Sequence, residues 1–178
     1  MWSKVYRGLL LMSGLFFSAM AMATQDDEVA SLINQRLFYM KDVAGYKANN
    51  HLAIEDLPQE AKVLASTLDQ AEKLGLDVES VKPFIQVQMD AAKAVQYRYR
   101  ADWLFAPEKD WQPEPLEQVR SEISVLNTII LTRISKKLTN GIQFNDKSAF
   151  MKELDQEHLK CSDKERLWNS LRKISLKK

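Results

Sequence analysis

Few cysteine and histidine side chains are available for chemistry in this 178-residue sequence, which contains only Cys161, His51 and His158. A single cysteine cannot form an internal disulfide, and Cys161 is more typical of a small buried residue than of a nucleophile. A structural zinc site needs four ligands in closely spaced pairs, which these residues do not supply. The sequence also lacks a glycine-rich phosphate loop, Gly-x-Ser-x-Gly and His-Glu-x-x-His. Covalent and metal-dependent mechanisms therefore have almost no residues to support them, and no cofactor is expected.

Glycine and proline are scarce as well, with five of each. A β-sandwich or β-barrel needs turn residues about every 8–12 positions, so their scarcity favours an all-α fold. The composition, 46% hydrophobic and 28% charged residues, excludes an intrinsically disordered chain. The formal net charge of +1 gives no bias toward polyanions, so nucleic acid is not expected as a partner.

The first residues have the pattern of a secretory signal peptide. Two basic residues precede the uncharged run 8–20, and Ala21-Met22-Ala23 fits the small-residue cleavage pattern. The run is shorter than the roughly 20 residues that a transmembrane helix needs. We therefore predict a signal peptide over residues 1–23 and one all-helical domain over 24–178. A periplasmic or secreted protein without stable membrane association follows from this prediction.

Apolar residues recur at helical spacing over most of the remaining chain. This pattern predicts an all-α helical bundle built on long first, third and fourth helices. The segment 106–115 contains three prolines and is predicted to be a loop. Pro83 is expected in the first turn of the third helix, where its missing N–H costs little. The predicted helical stretches are residues 25–49, 58–74, 80–104, 115–138, 147–159 and 163–176.

Arg36 and Lys47 stand out in the first predicted helix. They are eleven residues apart, which amounts to three turns plus about 20°, so they share one face with a gap of about 16 Å. Two long cationic side chains at this spacing could close on a small dianion. The alternative is that both are surface cations on a solvated face. The position of Arg36 between the apolar residues Ile33 and Leu37 argues against that alternative.

A row of polar and small residues marks the third predicted helix. Gln88, Ala92 and Gln96 follow one another at a spacing of four residues. Neighbours at this spacing share a helical face. The row is compatible with an ordinary helix interface and also with the hydrogen-bonding wall of a pocket.

Several short motifs follow one another along the chain and together carry a resemblance. They are Gln35-Arg36-Leu37, Asp42-Val43-Ala44-Gly45-Tyr46-Lys47, Ile54-Glu55-Asp56, Gly75-Leu76-Asp77, Val81-x-x-Phe84, Gln88-Met89-x-Ala91-x-Lys93-x-Val95-Gln96, Trp103 and Leu126-Asn127. This set resembles the all-helical chorismate mutases of the secreted (periplasmic) subclass. The resemblance implies an isomerase of aromatic amino acid biosynthesis, with chorismate as its small-molecule substrate. Such enzymes form prephenate by a pericyclic rearrangement that needs neither a cofactor nor a covalent intermediate.

The resemblance also implies roles for individual residues. Arg36 matches the arginine that holds a substrate carboxylate. Lys47 matches the lysine that contacts a carboxylate and the ether oxygen whose bond breaks. Gln96 matches the residue that hydrogen-bonds the same ether oxygen from the other side, and Glu60 matches the acid that takes the substrate hydroxyl in some members. Fixed donors of this kind stabilise the negative charge that grows on the ether oxygen in the transition state.

The chain departs from the family pattern at two positions. The resemblance places Gln59, Gln88 and Ala92 among the residues that bind the substrate. Of these, Gln59 stands where the family usually has an arginine. Ile129 stands where some secreted members have another arginine. Losing one charged transition-state donor costs roughly 10²–10³ in rate, so these departures predict a weak enzyme. Lys62 and Arg133 lie near the two positions in sequence and are candidates for partial compensation.

Two classes of function remain open at this point. The first is a periplasmic chorismate mutase. The second is a catalytically impaired relative that binds a small carboxylate or another protein through the same helical scaffold, because fold alone does not determine function. The sequence also leaves open whether the chain forms a homodimer.

Overall fold

A computed structural model describes residues 25–178, and over this range the chain is built from α-helices. Beyond them, the described part contains one isolated antiparallel bridge, between Leu76 and Leu176, and no strand. The predicted all-α fold class is therefore confirmed. The predicted signal peptide, residues 1–23, lies outside the described residues, and the division at residue 23 stays a prediction. The helices are α1 (Gln25–Phe38), α2 (Met40–Asn49), α3 (Leu57–Lys73), α4 (Val78–Phe105), α5 (Leu116–Thr139), α6 (Lys147–Glu153) and α7 (Cys161–Leu171).

The first predicted helix, residues 25–49, is present but interrupted at one residue, Tyr39. The backbone of Tyr39 keeps helical dihedral angles, φ −62° and ψ −12°, and its carbonyl accepts a bond from Val43 N–H at 3.1 Å. The chain therefore passes from α1 into α2 without leaving the helical region of backbone space. The predicted bounds, residues 25 and 49, are correct, but the prediction of one continuous helix is wrong.

Aspartates at the helix starts determine where α3 and α4 begin. The side chain of Asp56 accepts from the backbone N–H of Gln59 at 3.2 Å, and that of Asp77 accepts from Glu79 at 3.3 Å. Both are N-caps, which satisfy backbone donors that the helix leaves without partners. Because Asp77 starts α4 at Val78, earlier than predicted, Pro83 lies in the second turn of α4, and its predicted place in the first turn is wrong.

The two C-terminal helices are shorter than predicted. Helix α6 ends at Glu153, and the following segment is held by side-chain bonds instead of a helical ladder. Gln156, which is 2% exposed, donates its backbone N–H to Asn34 at 3.0 Å and its side-chain amide to the Tyr99 hydroxyl at 2.9 Å. Cys161 at the start of α7 is exposed, so its predicted burial is wrong.

The segment 106–115 packs against α2 and is a loop, as predicted. The Trp111 ring lies so close to Gly45 that a Cβ atom there would come within 2.6 Å of the ring. Lys41 stacks its ammonium over the same ring, 4.6 Å from the centroid, and forms an ion pair with Glu108 at 2.7 Å. The loop thereby fastens the connection between α4 and α5 to α2.

Helix α1 packs against α5, and α2 packs against α4 and also touches α5. Helix α3 packs against both α4 and α5. Within residues 25–178, no helix is both long and apolar enough to span a bilayer. The largest fully buried side chains include Phe84, Phe150, Ile33, Leu37, Leu76, Ile130, Leu131, Ile134, Leu154, Leu167 and Leu171.

Candidate active site

A cavity of about 570 Å³ lies between α2, α3, α4, α5 and the last turn of α1. Its volume falls within the range of about 300–1,000 Å³ that is typical of small-molecule sites. Basic side chains outnumber acidic ones along its walls, which suits an anionic ligand. The charged residues that line it are Arg36, Lys47, Lys62, Lys93, Arg120, Asp56, Glu60 and Glu117.

Arg36 projects from α1 into this cavity and is 5% exposed. Its Nε donates to Oδ1 of Asn127 at 3.0 Å, and its Nη1 donates to the carbonyl of Gln88 at 3.4 Å. Burial lowers the pKa of Arg36 to about 10, so the guanidinium stays charged at neutral pH. No carboxylate among residues 28–178 forms an ion pair with it. A buried cation without an anionic partner is costly, and an anionic ligand would offset that cost.

Lys47 of α2 lines the same cavity and is 6% exposed. Its ammonium donates to the carbonyl of Ile54 at 2.5 Å. Burial lowers the pKa of Lys47 below its ordinary 10.5, nearby Arg120 lowers it further, and Asp56 opposes both effects. The burial of Arg36 and Lys47 excludes the alternative that they are solvated surface cations, and their predicted common face is confirmed.

Arg120 of α5 is a cation of this cavity that the sequence analysis missed. Its Nη2 lies 2.8 Å from Oδ2 of Asp56, and its side chain is 28% exposed. Position 120 is seven residues before Asn127, or about 20° short of two full turns, so the two share a face. Ile129 is nine residues after Arg120, about half a turn away, and does not line the cavity.

The sequence signal for Arg120 was its spacing from Asn127, which lies in a motif already identified. Of the two candidates for compensation, Lys62 lines the cavity. Arg133 instead pairs with Glu28 at 2.8 Å and lines a separate small cleft. Position 129 and Arg133 therefore do not face the cavity, and the predicted compensation by Arg133 is wrong.

Gln59 and Glu60 both lie on the α3 wall of the cavity, as expected. Oε2 of Glu60 pairs with the ammonium of Lys93 at 2.9 Å, and Oε1 accepts the backbone N–H of Asp56 at 3.3 Å. Lys93, which lines the cavity from α4, is thus a further cation of the site.

The polar row on α4 is only partly on the cavity wall. Gln96 and Ala92 line the cavity, whereas Gln88 does not. Eight residues separate Gln88 from Gln96, which rotates Gln88 about 80° away around the helix. Gln88 therefore lies behind Arg36 and supports it through its backbone carbonyl.

Gln96 has one free end of its amide for hydrogen bonding. The side chain is 5% exposed, and its Nε2 donates to the Ala92 carbonyl at 3.2 Å and toward the Met40 sulfur at 3.4 Å. Its Oε1 is buried without a partner among the described residues. Rotation of the amide would exchange the two ends, so the side chain can offer either a donor or an acceptor.

The chain is similar to known chorismate mutases in sequence. A family model described as chorismate mutase type II matches residues 20–97. The chain is 48% identical over 171 residues to the secreted chorismate mutase of Yersinia pestis, covering 95% of this chain and 92% of that protein. It is 40% identical over 171 residues to the monofunctional chorismate mutase of Enterobacter agglomerans, covering 96% and 94%.

Solved structures agree with the sequence comparisons. The crystal structure of the Yersinia pestis secreted chorismate mutase superposes with a TM-score of 0.80 at 49% identity, covering 84% of this chain and 98% of that one. Chorismate mutase from Burkholderia thailandensis, at 21% identity, shares the fold with a TM-score of 0.68, covering 84% and 98%. Identities of 40–48% over nearly the whole length of both chains, together with the shared all-helical fold, lead to one conclusion: the chain belongs to the chorismate mutase family.

Proposed function

We propose that this chorismate mutase rearranges chorismate to prephenate in the cavity between α2, α3, α4 and α5. The observation that supports this site best is the convergence of Arg36, Lys47 and Arg120, from three different helices, on one cavity. Chorismate carries two carboxylates, and a site of three cations suits such a dianion. Arg36 is buried without a carboxylate partner among the described residues, which favours a negative ligand.

Arg36 and Arg120 are proposed to hold the two carboxylates. A guanidinium can bond a carboxylate through two parallel N–H groups, which orients the ligand as well as binding it. The Nε and Nη1 contacts of Arg36 fix its plane and leave Nη2 for the substrate. Arg120 is partly neutralised by Asp56, at 2.8 Å, and its contribution depends on how that pair rearranges when substrate binds.

Lys47 and Gln96 are proposed to act on the ether oxygen. In the rearrangement the ether C–O bond breaks while a C–C bond forms within the same molecule, and negative charge grows on the oxygen. The Lys47 ammonium has three protons, of which one is on Ile54, so it can donate to the oxygen and to a carboxylate together. Gln96 is proposed to turn its amide so that Nε2 donates to the oxygen from the other side. Donors held in place before the reaction lower its barrier without reorganisation.

The remaining wall residues are proposed to orient the substrate. Glu60 would accept the substrate hydroxyl, and its carboxylate also forms an ion pair with Lys93 at 2.9 Å. Gln59 and Ala92 would contact the substrate as neutral parts of the wall. Gln88 would not contact the substrate; its backbone carbonyl would hold the guanidinium of Arg36 in place. The homodimer that the sequence leaves open is not required, because Arg36, Lys47 and Arg120 belong to one chain.

Export of the enzyme is proposed as well. The basic and apolar run before Ala23 has the order of a signal peptide, and the related Yersinia pestis protein is named as secreted. Cleavage after Ala21 or Ala23 would release a soluble periplasmic or secreted enzyme. Intact-mass measurement of exported protein tests this: retention of residues 1–20 contradicts it.

The mutase activity is tested by incubating purified residues 24–178 with chorismate and quantifying prephenate. We expect prephenate to form well above the uncatalysed rate, and Lys47→Ala to remove that excess. Calorimetry with chorismate measures binding and so distinguishes the enzyme from the alternative, a catalytically impaired relative. Such a relative would bind chorismate without forming prephenate. The proposal would be overturned if the unmutated residues 24–178 formed prephenate no faster than the uncatalysed reaction does.

A further inference from the structure

The segment 52–55, between α2 and α3, is held in place at three points. Its position matters because the carbonyl of Ile54 accepts the bond from the Lys47 ammonium, at 2.5 Å. The Ile54 side chain is 3% exposed, so this residue is anchored in the interior. A lysine side chain is flexible, so the position of the Lys47 ammonium depends on the carbonyl of Ile54 that accepts its hydrogen bond.

Two side chains of α4 hold the segment on either side of Ile54. The guanidinium of Arg100 donates through Nη2 to the carbonyl of Leu52 at 2.6 Å. The hydroxyl of Tyr97 donates to the carboxylate of Glu55. Tyr97 and Arg100 are three residues apart and therefore lie on the same face of the helix. Neither lines the cavity, so neither can contact a substrate there.

We infer that Tyr97 and Arg100 are positioning residues for Lys47, which they serve by fixing the segment 52–55 whose Ile54 carbonyl holds the ammonium. The inference rests on the proposed function, in which Lys47 acts on the ether oxygen. Positioning of this kind matters because a displacement of about 1 Å at a reacting group can cost on the order of 10² in rate. The two contacts bracket Ile54, and losing either leaves its carbonyl held from one side only.

The charges at the Tyr97–Glu55 contact agree with this role. The hydrogen bond with Tyr97 lowers the pKa of Glu55, and the same bond raises the pKa of Tyr97. At neutral pH an ionised carboxylate therefore accepts from a neutral hydroxyl, which is a charge-assisted bond. Tyr97 is 48% exposed, so removing its hydroxyl creates no cavity in the core.

The test compares Tyr97→Phe and Arg100→Ala with a matched control, Tyr99→Phe. The Tyr99 hydroxyl is also bonded on α4, but to Gln156 at 2.9 Å and not to the segment 52–55. We expect kcat to fall about 5- to 100-fold in the first two variants while KM changes less than about twofold. Arg100→Lys should recover part of the loss. Tyr99→Phe should lower Tm and leave kcat unchanged.

The alkaline limb of the kcat/KM profile gives a readout that a merely structural role would not move. A weaker bond to the Ile54 carbonyl disfavours the charged form of Lys47, so Tyr97→Phe should shift this limb to lower pH. The other charged groups that act on Lys47 all remain in this variant; they are Asp56, Glu60, Arg120, Arg100 and Glu55. Arg100→Ala is not used for this measurement, because Arg100 itself lowers the pKa of Lys47.

Failure of the inference is distinct from failure of the proposed function. If Lys47→Ala abolishes activity while Tyr97→Phe and Arg100→Ala keep the parent kcat and Tyr97→Phe keeps the parent alkaline limb, the positioning role is wrong and the site stands. If Lys47→Ala keeps full activity, the proposed function of the site is wrong. Should Arg100→Ala fail to fold, Tyr97→Phe, at an exposed position, decides the question by the same two measurements.

Discussion

The guanidinium of Arg36 in α1 and the side-chain amide of Asn127 in α5 are joined by a 3.0 Å hydrogen bond across 91 residues of sequence. The bond fixes the plane of the guanidinium at the wall of the cavity. It also ties together two of the helices that surround the site. The Leu126-Asn127 motif, which sequence alone presents as a family feature, therefore has a physical task in orienting Arg36.

Asn127→Ala should lower kcat/KM about tenfold or more. A hydrogen bond to a charged group contributes about 1.5–3 kcal/mol, and 1.4 kcal/mol corresponds to a factor of ten. Steady-state kinetics with chorismate measures the effect. Thr132→Ala is the matched control, because the Thr132 hydroxyl bonds only the Thr128 carbonyl of its own helix, at 2.8 Å. Equal kinetics in Asn127→Ala and Thr132→Ala would contradict the assigned role.

Lys47→Ala should reduce kcat/KM by roughly 10²–10³ or more and change Tm little. The pKa of Lys47 is lower in the folded chain than its ordinary 10.5, chiefly because of burial. Its charge therefore costs stability at pH below the folded pKa, and that cost disappears as pH rises through the folded pKa. Removing the charge at neutral pH offsets the loss of packing. A large fall in Tm at neutral pH would contradict this balance.

Arg120→Ala should lower kcat/KM by roughly 10²–10³, because it removes one of the three cations proposed to bind the substrate. Adding Gln59→Arg to this variant should recover part of the loss, since position 59 lines the same cavity. Arg120→Lys should be intermediate, because lysine keeps the charge and loses the bidentate geometry. The relevant measurement is kcat/KM at low and high salt, where screening should reduce the difference between parent and variant. Parent-level activity in Arg120→Ala would remove Arg120 from the site.

Gln96→Glu should make activity dependent on acidic pH. An ionised carboxylate only accepts hydrogen bonds, so the variant can donate to the ether oxygen only when protonated. Gln96 is 5% exposed, and burial raises the pKa of a carboxyl group. The kcat/KM of this variant should therefore rise as pH falls. Gln96→Ala serves as the control and should show no such rise; the same profile in both variants would rule out donation at this position.

Gly45→Ala should destabilise the chain by about 1–3 kcal/mol through overpacking. The new Cβ would lie 2.6 Å from the Trp111 ring and 3.3 Å from Pro113, so the ring must move. Thermal unfolding measures the loss, and tryptophan fluorescence reports the displaced ring. The loss should be smaller in a Trp111→Leu background, where the ring is absent. An equal loss in both backgrounds would show that the ring is not the obstacle.

Helical periodicity predicted from sequence that Arg36 and Lys47 lie on the same side of the first helix. It put Arg36 and Lys47 on one buried face, and the structure keeps that face across the interruption at Tyr39 because the backbone there stays helical. It was less successful with Gln88. Steps of four residues drift by about 40° each around a helix, so the row that begins on the wall at Gln96 leaves it by Gln88.

Helix periodicity and capping depend on residues a few positions apart, so the all-α class, the main helices and the cations of the first helix could be predicted from sequence. Which faces of different helices meet could be seen only in the packed bundle. The tertiary packing brought Arg120 into the same cavity as Lys47, placed Arg133 in another cleft, and set Tyr97 against the segment that holds Lys47. The physical reason is that contacts between helices depend on the packing of the whole bundle and on loops such as 106–115, which no local spacing encodes.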